Sequence, residues 1–225
     1  IGINDNINDF AGRAYAEYAA VDCDQLGRAP SSVGLELAAA VPLAAQTALQ
    51  ALRDDAKLRS GQRVLINGAS GGVGSAAVQL AKRRGAEVFA VADSTKLEIV
   101  RALGAEHVIP RGEKFTKTPG SNAVDLGVDL VAGPQWPELI DTLRRGGRYA
   151  VAGAIAGPMV ELDVRMLYLR DLSFFGCTFQ EDAVFENLIG YIELGVDIGH
   201  LFGKLMTLTG NHYGLIVRKE FLDRE

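Results

Sequence analysis

Twenty consecutive residues, RVLINGASGGVGSAAVQLAK from Arg63 to Lys82, leave this chain few folds to choose from. Val64, Leu65 and Ile66 make a short apolar run, as a strand buried on both faces requires. Gly68, Gly71, Gly72 and Gly74 crowd the turn behind it, and Ala76, Ala77, Val78, Leu80 and Ala81 then follow helical spacing. Strand, glycine turn and helix in that order are the layout of a dinucleotide-binding site. Gly71 allows the backbone to approach a pyrophosphate where a Cβ would collide, and Gly74 allows the helix to pack close on the strand. The unpaired N–H groups at the helix start face the phosphate charge. The run from Ala69 to Gly74 reads A-x-G-x-x-G, with alanine in place of the first glycine. An ordinary strand-to-helix turn is the plainer reading, but it needs one glycine rather than four.

The rest of the chain repeats this rhythm. Residues 87–92 (EVFAVA), 106–109, 124–131, 148–152 and 172–179 (LSFFGCTF) read as further strands. Residues 95–103, 138–145, 163–170 and 181–194 read as helices between or after them, and residues 35–57 as a helix broken near Pro42. Ser31 or Ser32 is placed to cap that helix. Glycine follows three predicted helix ends, at Gly85, Gly104 and Gly146–Gly147, where a left-handed residue closes a helix at low cost. Strands and helices alternating over this length imply an α/β fold, a doubly wound parallel sheet, with ligands at the carboxyl ends of its strands. Residues 1–9 read as a loop or frayed end, 13–21 as a strand and 111–121 as a polar loop with one helical turn.

Composition excludes several classes. The net charge of −5 argues against a nucleic-acid surface. The two basic clusters, Lys82-Arg83-Arg84 and Arg144-Arg145, end predicted helices, where cations suit the dipole. Two cysteines far apart, Cys23 and Cys177, make neither a disulfide framework nor a metal spacing, which points to a reducing, cytoplasmic setting. No apolar run is long enough to span a bilayer, so no membrane partner is expected.

The chain resembles the medium-chain dehydrogenase/reductase superfamily, in its zinc-independent quinone oxidoreductase (zeta-crystallin-like) branch. The resemblance is carried by YAEYAAV from Tyr15, AAAVPLAAQTALQAL from Ala38, SGQRVLINGASGGVGSAAVQLAKRRGAEVFAV from Ser60, LGAEHVI from Leu103, the VDL strand from Val124 and GGRYAVAGAIAG from Gly146. It implies a Rossmann domain over residues 34–195, preceded by a remnant of a GroES-like β domain over residues 1–33. Residues 196–225 form a divergent C-terminal segment, apart from a weak echo of a closing strand at 212–217, and are expected to close the substrate domain.

The residue that closes the second strand separates NAD from NADP enzymes, because an acid there binds the ribose hydroxyls and excludes a phosphate. Register against the family puts Ala92 at that position and Lys96 where quinone reductases carry a phosphate-binding lysine. Ser94 stands ready to donate a hydrogen bond, and Arg111 flanks the adenine. NADPH is therefore expected over NADH, with Asp93 as the opposing fact, since a shift of one residue makes it the NAD-type acid. The resemblance carries over further cofactor contacts at Thr47, Gly71, Gly72, Val73, Val131, Gly153, Phe175 and Gly176. Thr47 also reads as a helix threonine bonded to its own turn, and Phe175 as sheet core.

No zinc is expected: PLAAQTA has no cysteine at the retained helix position, and two cysteines cannot build a four-cysteine site. His107 reads as structural; His200 and His212 are the remaining histidines. Tyr15 and Tyr18 carry the only suitable hydroxyls in the retained substrate-domain part, and no catalytic residue is assigned, because the cofactor carries the hydride. The family often dimerises by pairing the strand at 172–179 across a two-fold axis, which implies a homodimer. Two functions remain open. One is hydride transfer from NADPH to a quinone or α,β-unsaturated carbonyl. The other is an NADPH-binding module or sensor without turnover.

Overall fold

The computed structural model of the chain describes residues 34–178, together with Ala29. The chain divides into two compact units, Ile1–Gln46 with Gln180–Glu225, and Thr47–Phe179. The strand expected at 13–21, the helix at 181–194, the closing strand at 212–217, Ser31, Ser32, Tyr15, Tyr18, Cys23, His200 and His212 lie outside the described residues.

The first described helix, α1 (Leu35–Ala40), begins behind Gly34, whose extended backbone caps it without any side-chain bond. It bends at Val41, and α2 (Pro42–Leu49) restarts at the proline, as a residue without an N–H allows only in a first turn. The helix then widens over Gln50–Asp55, where the Ala56 N–H reaches back to Ala51 O at 3.1 Å. It ends there, ahead of the expected position 57, because Lys57 turns to a positive φ of 49°.

Among the described residues six parallel strands follow: β1 (Arg63–Asn67), β2 (Glu87–Ala92), β3 (His107–Pro110), β4 (Val124–Asp129), β5 (Leu143–Val151) and β6 (Ser173–Gly176), in the order β3-β2-β1-β4-β5-β6. The connecting helices are α3 (Gly72–Arg83), α4 (Leu97–Ala102), α5 (Trp136–Thr142) and α6 (Val164–Leu169). This is a Rossmann-type, doubly wound sheet. The central strands are apolar because both faces are covered: Val64, Leu65 and Ile66 are fully buried, as are Val88 and Ala90 beside them. On one side Leu65, Phe89, Ile109, Leu139 and Ile140 join Trp136, Tyr149 and Leu172 in a common core. Trp136 meets Tyr149 and Phe174 edge to face, each with ring centres 6.1 Å apart. Gly127 of β4 exists for this packing, since a Cβ there would lie 2.7 Å from Leu139 Cδ2.

Two of the three predicted glycine caps close helices, Gly85 at φ +75° and Gly104 at φ +113°. The third does not. The helix expected at 138–145 runs from Trp136 only to Thr142, and Leu143 is already extended and paired with Val124. The strand loops out over the next four residues, with Gly146 at φ +70°, before Arg148 pairs with Leu126. Arg144 and Arg145 therefore stand in a strand irregularity and answer no helix dipole. Their partners are Asp125, at 2.7 Å, and Asp171, at 2.8 Å. The first basic cluster does end its helix: Lys82 and Arg83 lie in the last turn of α3, and Lys82 pairs with Glu106. Asp163 caps α6 by accepting the Arg165 N–H at 2.9 Å. His107 is held between Glu87, at 2.9 Å, and the ring of Phe89, 4.3 Å away and stacked. Among the described residues no helix is long and apolar enough to cross a membrane.

Candidate functional site

The strand order reverses between β1 and β4, so their carboxyl ends part the connections to opposite sides and leave a crevice. Ten of the eleven predicted cofactor residues stand at or just beyond the carboxyl ends of the strands. Gly71, Gly72 and Val73 follow β1; Ser94 and Lys96 follow β2; Arg111 follows β3. Val131 follows β4, Gly153 follows β5, and Phe175 and Gly176 end β6. The strand register aligns these ends, pairing Ala92 with Pro110, Asn67 with Val91 and Asp129, and Val151 with Asp129 and Gly176. Thr47 stands half-buried on α2, outside this set; the continuation of α2 over Gln50–Asp55 packs on α3 and β5.

The glycine turn is built tightly. Gly68 takes φ +89°, and a Cβ on it would sit 3.0 Å from Val131 Cγ2. The N–H groups of Gly68 and Ala69 both donate to Val91 O, at 3.2 and 2.9 Å, which ties the turn to β2. A Cβ on Gly74 would lie 2.1 Å from Gly68 O, so only glycine allows α3 to sit this close. Gly71 is different. Its φ is −80°, and the nearest atom to a Cβ is Gly68 O at an ordinary 3.5 Å. Among the described residues nothing excludes a side chain at Gly71, so the space beside it is open to a group arriving from outside. Gly71 and Gly72 are exposed, no side chain caps α3, and its first backbone bond runs from the Ser75 N–H to Gly71 O. The N–H groups of Gly72, Val73 and Gly74 precede that bond at the positive end of a twelve-residue helix. These residues fit the diphosphate of a dinucleotide.

At the β2 end Ala92 is the last strand residue, fully buried, and Asp93 comes after it. The Asp93 carboxylate is turned into its own loop, where Oδ1 accepts the Thr95 N–H at 3.0 Å and the Thr95 hydroxyl at 2.7 Å. Those bonds, with the nearby charges of Arg111 and Lys96, hold its pKa below the usual carboxylate value. Arg111 is fixed through its backbone, its N–H donating to Ala92 O at 2.7 Å.

At the β4 end a group that sequence reasoning missed organises the loop. Asp129 is fully buried. Its Oδ1 accepts Asn67 Nδ2 at 3.0 Å and the N–H groups of Val131 and Ala132 at 2.9 and 3.0 Å; its Oδ2 accepts the Tyr149 hydroxyl at 2.9 Å. Burial first, and then the neighbouring Asp129 carboxylate, push the Tyr149 phenol far above its ordinary pKa. The loop these bonds hold contains Ala132 at φ +53°, ψ −139°, and Gly133 at φ +68°. Val131 O accepts the Ala156 N–H at 2.9 Å, and a Cβ on Gly153 would lie 2.7 Å from Leu130 O, so the β4 and β5 loops touch. Polar residues closing two adjacent apolar strands, RVLIN and VDLGVD, were the available signal.

A family model described as zinc-binding dehydrogenase matches residues 72–193, just over half of the chain. The chain belongs to this family. It is thereby a member of the medium-chain dehydrogenase/reductase superfamily. It is 30% identical over 195 residues to the quinone oxidoreductase of Sus scrofa, a match covering 83% of the chain and 59% of that relative. It is also similar to polyketide synthases at 36 to 42% identity, of which it spans 3 to 10%. Among solved structures, an NAD-dependent alcohol dehydrogenase superposes with a TM-score of 0.75 at 34% identity, over 80% of this chain and 55% of that one. The 2-octenoyl-CoA carboxylase reductase CinF, solved with NADP and 2-octenoyl-CoA, superposes with a TM-score of 0.70 at 28% identity, over 77% of this chain and 44% of that one. Despite the family's description, the described residues do not fit a metal centre: no group of three His, Cys, Asp or Glu side chains among them is placed to hold an ion.

Proposed function

We propose that the chain carries the cofactor half of an NADPH-dependent reductase that delivers hydride to a quinone or an α,β-unsaturated carbonyl, without zinc. The observation that carries this reading is the pairing of an uncapped glycine turn with a cationic second-strand loop. The N–H groups of Gly72, Val73 and Gly74 hold the diphosphate, with Gly71 leaving the approach open. Lys96 holds the 2′-phosphate, Ser94 donates to it, and Arg111 flanks the adenine beside it. Thr95 turns Asp93 into its own loop with two bonds to Oδ1, and Lys96 and Arg111 stand beside it, which favours NADPH over NADH. Val131, Gly153, Phe175 and Gly176 border the nicotinamide half, and Thr47 approaches the diphosphate or the nicotinamide end. The cofactor, when bound, supplies the hydride. This chain's residues orient it and exclude water from the crevice, and the proton that completes a quinone's reduction comes from solvent.

The similarity to a quinone oxidoreductase and to a reductase solved with an enoyl thioester supports this substrate class. The test is oxidation of NADPH, followed by loss of its absorbance, with 1,4-benzoquinone and separately with a simple enone. Turnover above the uncatalysed rate supports the reading. Cofactor binding without turnover assigns the chain to a binding module or sensor.

The same reading includes a homodimer through β6, which with β3 is one of the two sheet edges among the described residues. Exposed Val164, Tyr168 and Leu169 on the neighbouring α6 add apolar surface of the kind that partners cover. Light scattering tests it: twice the chain mass supports the dimer, and a monodisperse monomer at high concentration overturns it.

A further inference from the structure

The carboxylate of Asp129 stands where the strand order reverses, at the wall between the two halves of the crevice. It is used completely. Four donors from three segments converge on it: the Asn67 amide from β1, the Tyr149 hydroxyl from β5, and the Val131 and Ala132 N–H groups from its own loop. Burying a charge without such partners is prohibitive, so the donors and the acid specify one another. What this arrangement achieves locally is a backbone conformation that alanine rarely adopts, Ala132 at φ +53°, ψ −139°, immediately after Val131. The loop so held meets the β5 loop through the Ala156 N–H and Val131 O, and the Val131 side chain fills the space that a Cβ on Gly68 would need. Movement of this one loop would change both the glycine turn and the loop after β5.

We propose that Asp129 is a positioning residue: it sets the Val131–Gly133 backbone as the wall against which the nicotinamide half of the cofactor is oriented. The proposal rests on the cofactor reading given above. Its physical content is geometric rather than electrostatic. An asparagine at 129 keeps one carbonyl oxygen for Asn67, Val131 and Ala132, and its amide donates to Tyr149, whose hydroxyl accepts after rotating. An alanine leaves all four donors without an acceptor.

The experiment uses the full chain and two ligands. NADPH spans both halves of the crevice, whereas 2′,5′-ADP carries the adenine and the 2′-phosphate but no nicotinamide. Asp129→Ala is expected to weaken NADPH about tenfold, the scale of one lost charge-assisted hydrogen bond, and to leave 2′,5′-ADP within about twofold of the unaltered chain. Asp129→Asn is expected to keep both affinities. A purely structural role would move the two ligands together. If Asp129→Ala does not fold, Tyr149→Phe is measured instead, with a smaller loss confined to NADPH. Equal losses for both ligands, no loss of NADPH, or an Asp129→Asn chain as weak as Asp129→Ala each overturn the proposal. Failure of the unaltered chain to bind 2′,5′-ADP refutes the cofactor reading itself and so is distinguishable from a failure of the role given to Asp129.

Discussion

Substituting Gly74 by alanine should separate the α3 helix from the strand turn it packs on. The added Cβ would lie 2.1 Å from Gly68 O, 2.8 Å from the Ala69 Cα and 2.8 Å from the Gly68 carbonyl carbon. All three are backbone atoms, so no side chain can swing away. Ordinary contact begins near 3.4 Å, so the helix start must retreat by about 1.3 Å along the shortest vector, the difference of the two distances. Forcing one methyl group into a packed core costs about 1–3 kcal/mol, and backbone neighbours place Gly74→Ala at the upper end. For a chain of this size that lowers the melting temperature by about 6–12 °C, at 2–4 °C per kcal/mol. Gly71→Ala is the control. Among the described residues its Cβ meets only Gly68 O at 3.5 Å, and φ is −80°, so melting should shift by no more than about 2 °C, within the scatter of surface substitutions. Thermal denaturation followed by circular dichroism measures both. The reasoning is refuted if Gly74→Ala melts with the unaltered chain, or if Gly71→Ala falls as far as Gly74→Ala.

Three further outcomes follow from named contacts. Lys96→Ala should weaken NADPH and leave NADH nearly unchanged in fluorescence titrations; equal losses for both would remove its phosphate role. Burial alone would raise the Asp125 pKa, but the Arg63 N–H at 2.8 Å and Arg144 at 2.7 Å outweigh it, and the net shift is downward. The stability this gives is present above the unfolded carboxylate value near 3.9 and is lost as pH falls through the lower folded value. Urea midpoints should therefore drop less steeply with acid in Asp125→Asn than in the unaltered chain, and parallel curves would contradict the assignment. Burial and then the neighbouring Asp55 push the Cys177 thiol up to about 12, so alkylation at pH 8 followed by mass mapping should leave Cys177 unmodified until the chain is unfolded.

The sequence carries most of this fold because its signals are local. A buried apolar triplet, a glycine turn and a helical repeat over 63–82 specify β1, the turn and α3 without help from distant residues. Gly85 and Gly104 close their helices for the same reason, as each needs only its own positive φ. Arg144 to Gly147 misled because the decisive interaction is remote: Leu143 is drawn into pairing with Val124, and that ladder ends the helix early. The candidate site divides in the same way. The backbone-binding part was legible from glycines. The Asn67–Asp129–Tyr149 network was not, because its members lie on three strands and acquire meaning only once register brings them together.

The most direct test of the account is titration of the purified chain with NADPH and with NADH, followed by nicotinamide fluorescence, with Gly71→Ala alongside. The account predicts saturable NADPH binding tighter than that of NADH, and a loss of NADPH affinity in Gly71→Ala without a change in melting temperature. Absence of binding by either nucleotide, or Gly71→Ala binding NADPH as the unaltered chain does, would contradict it.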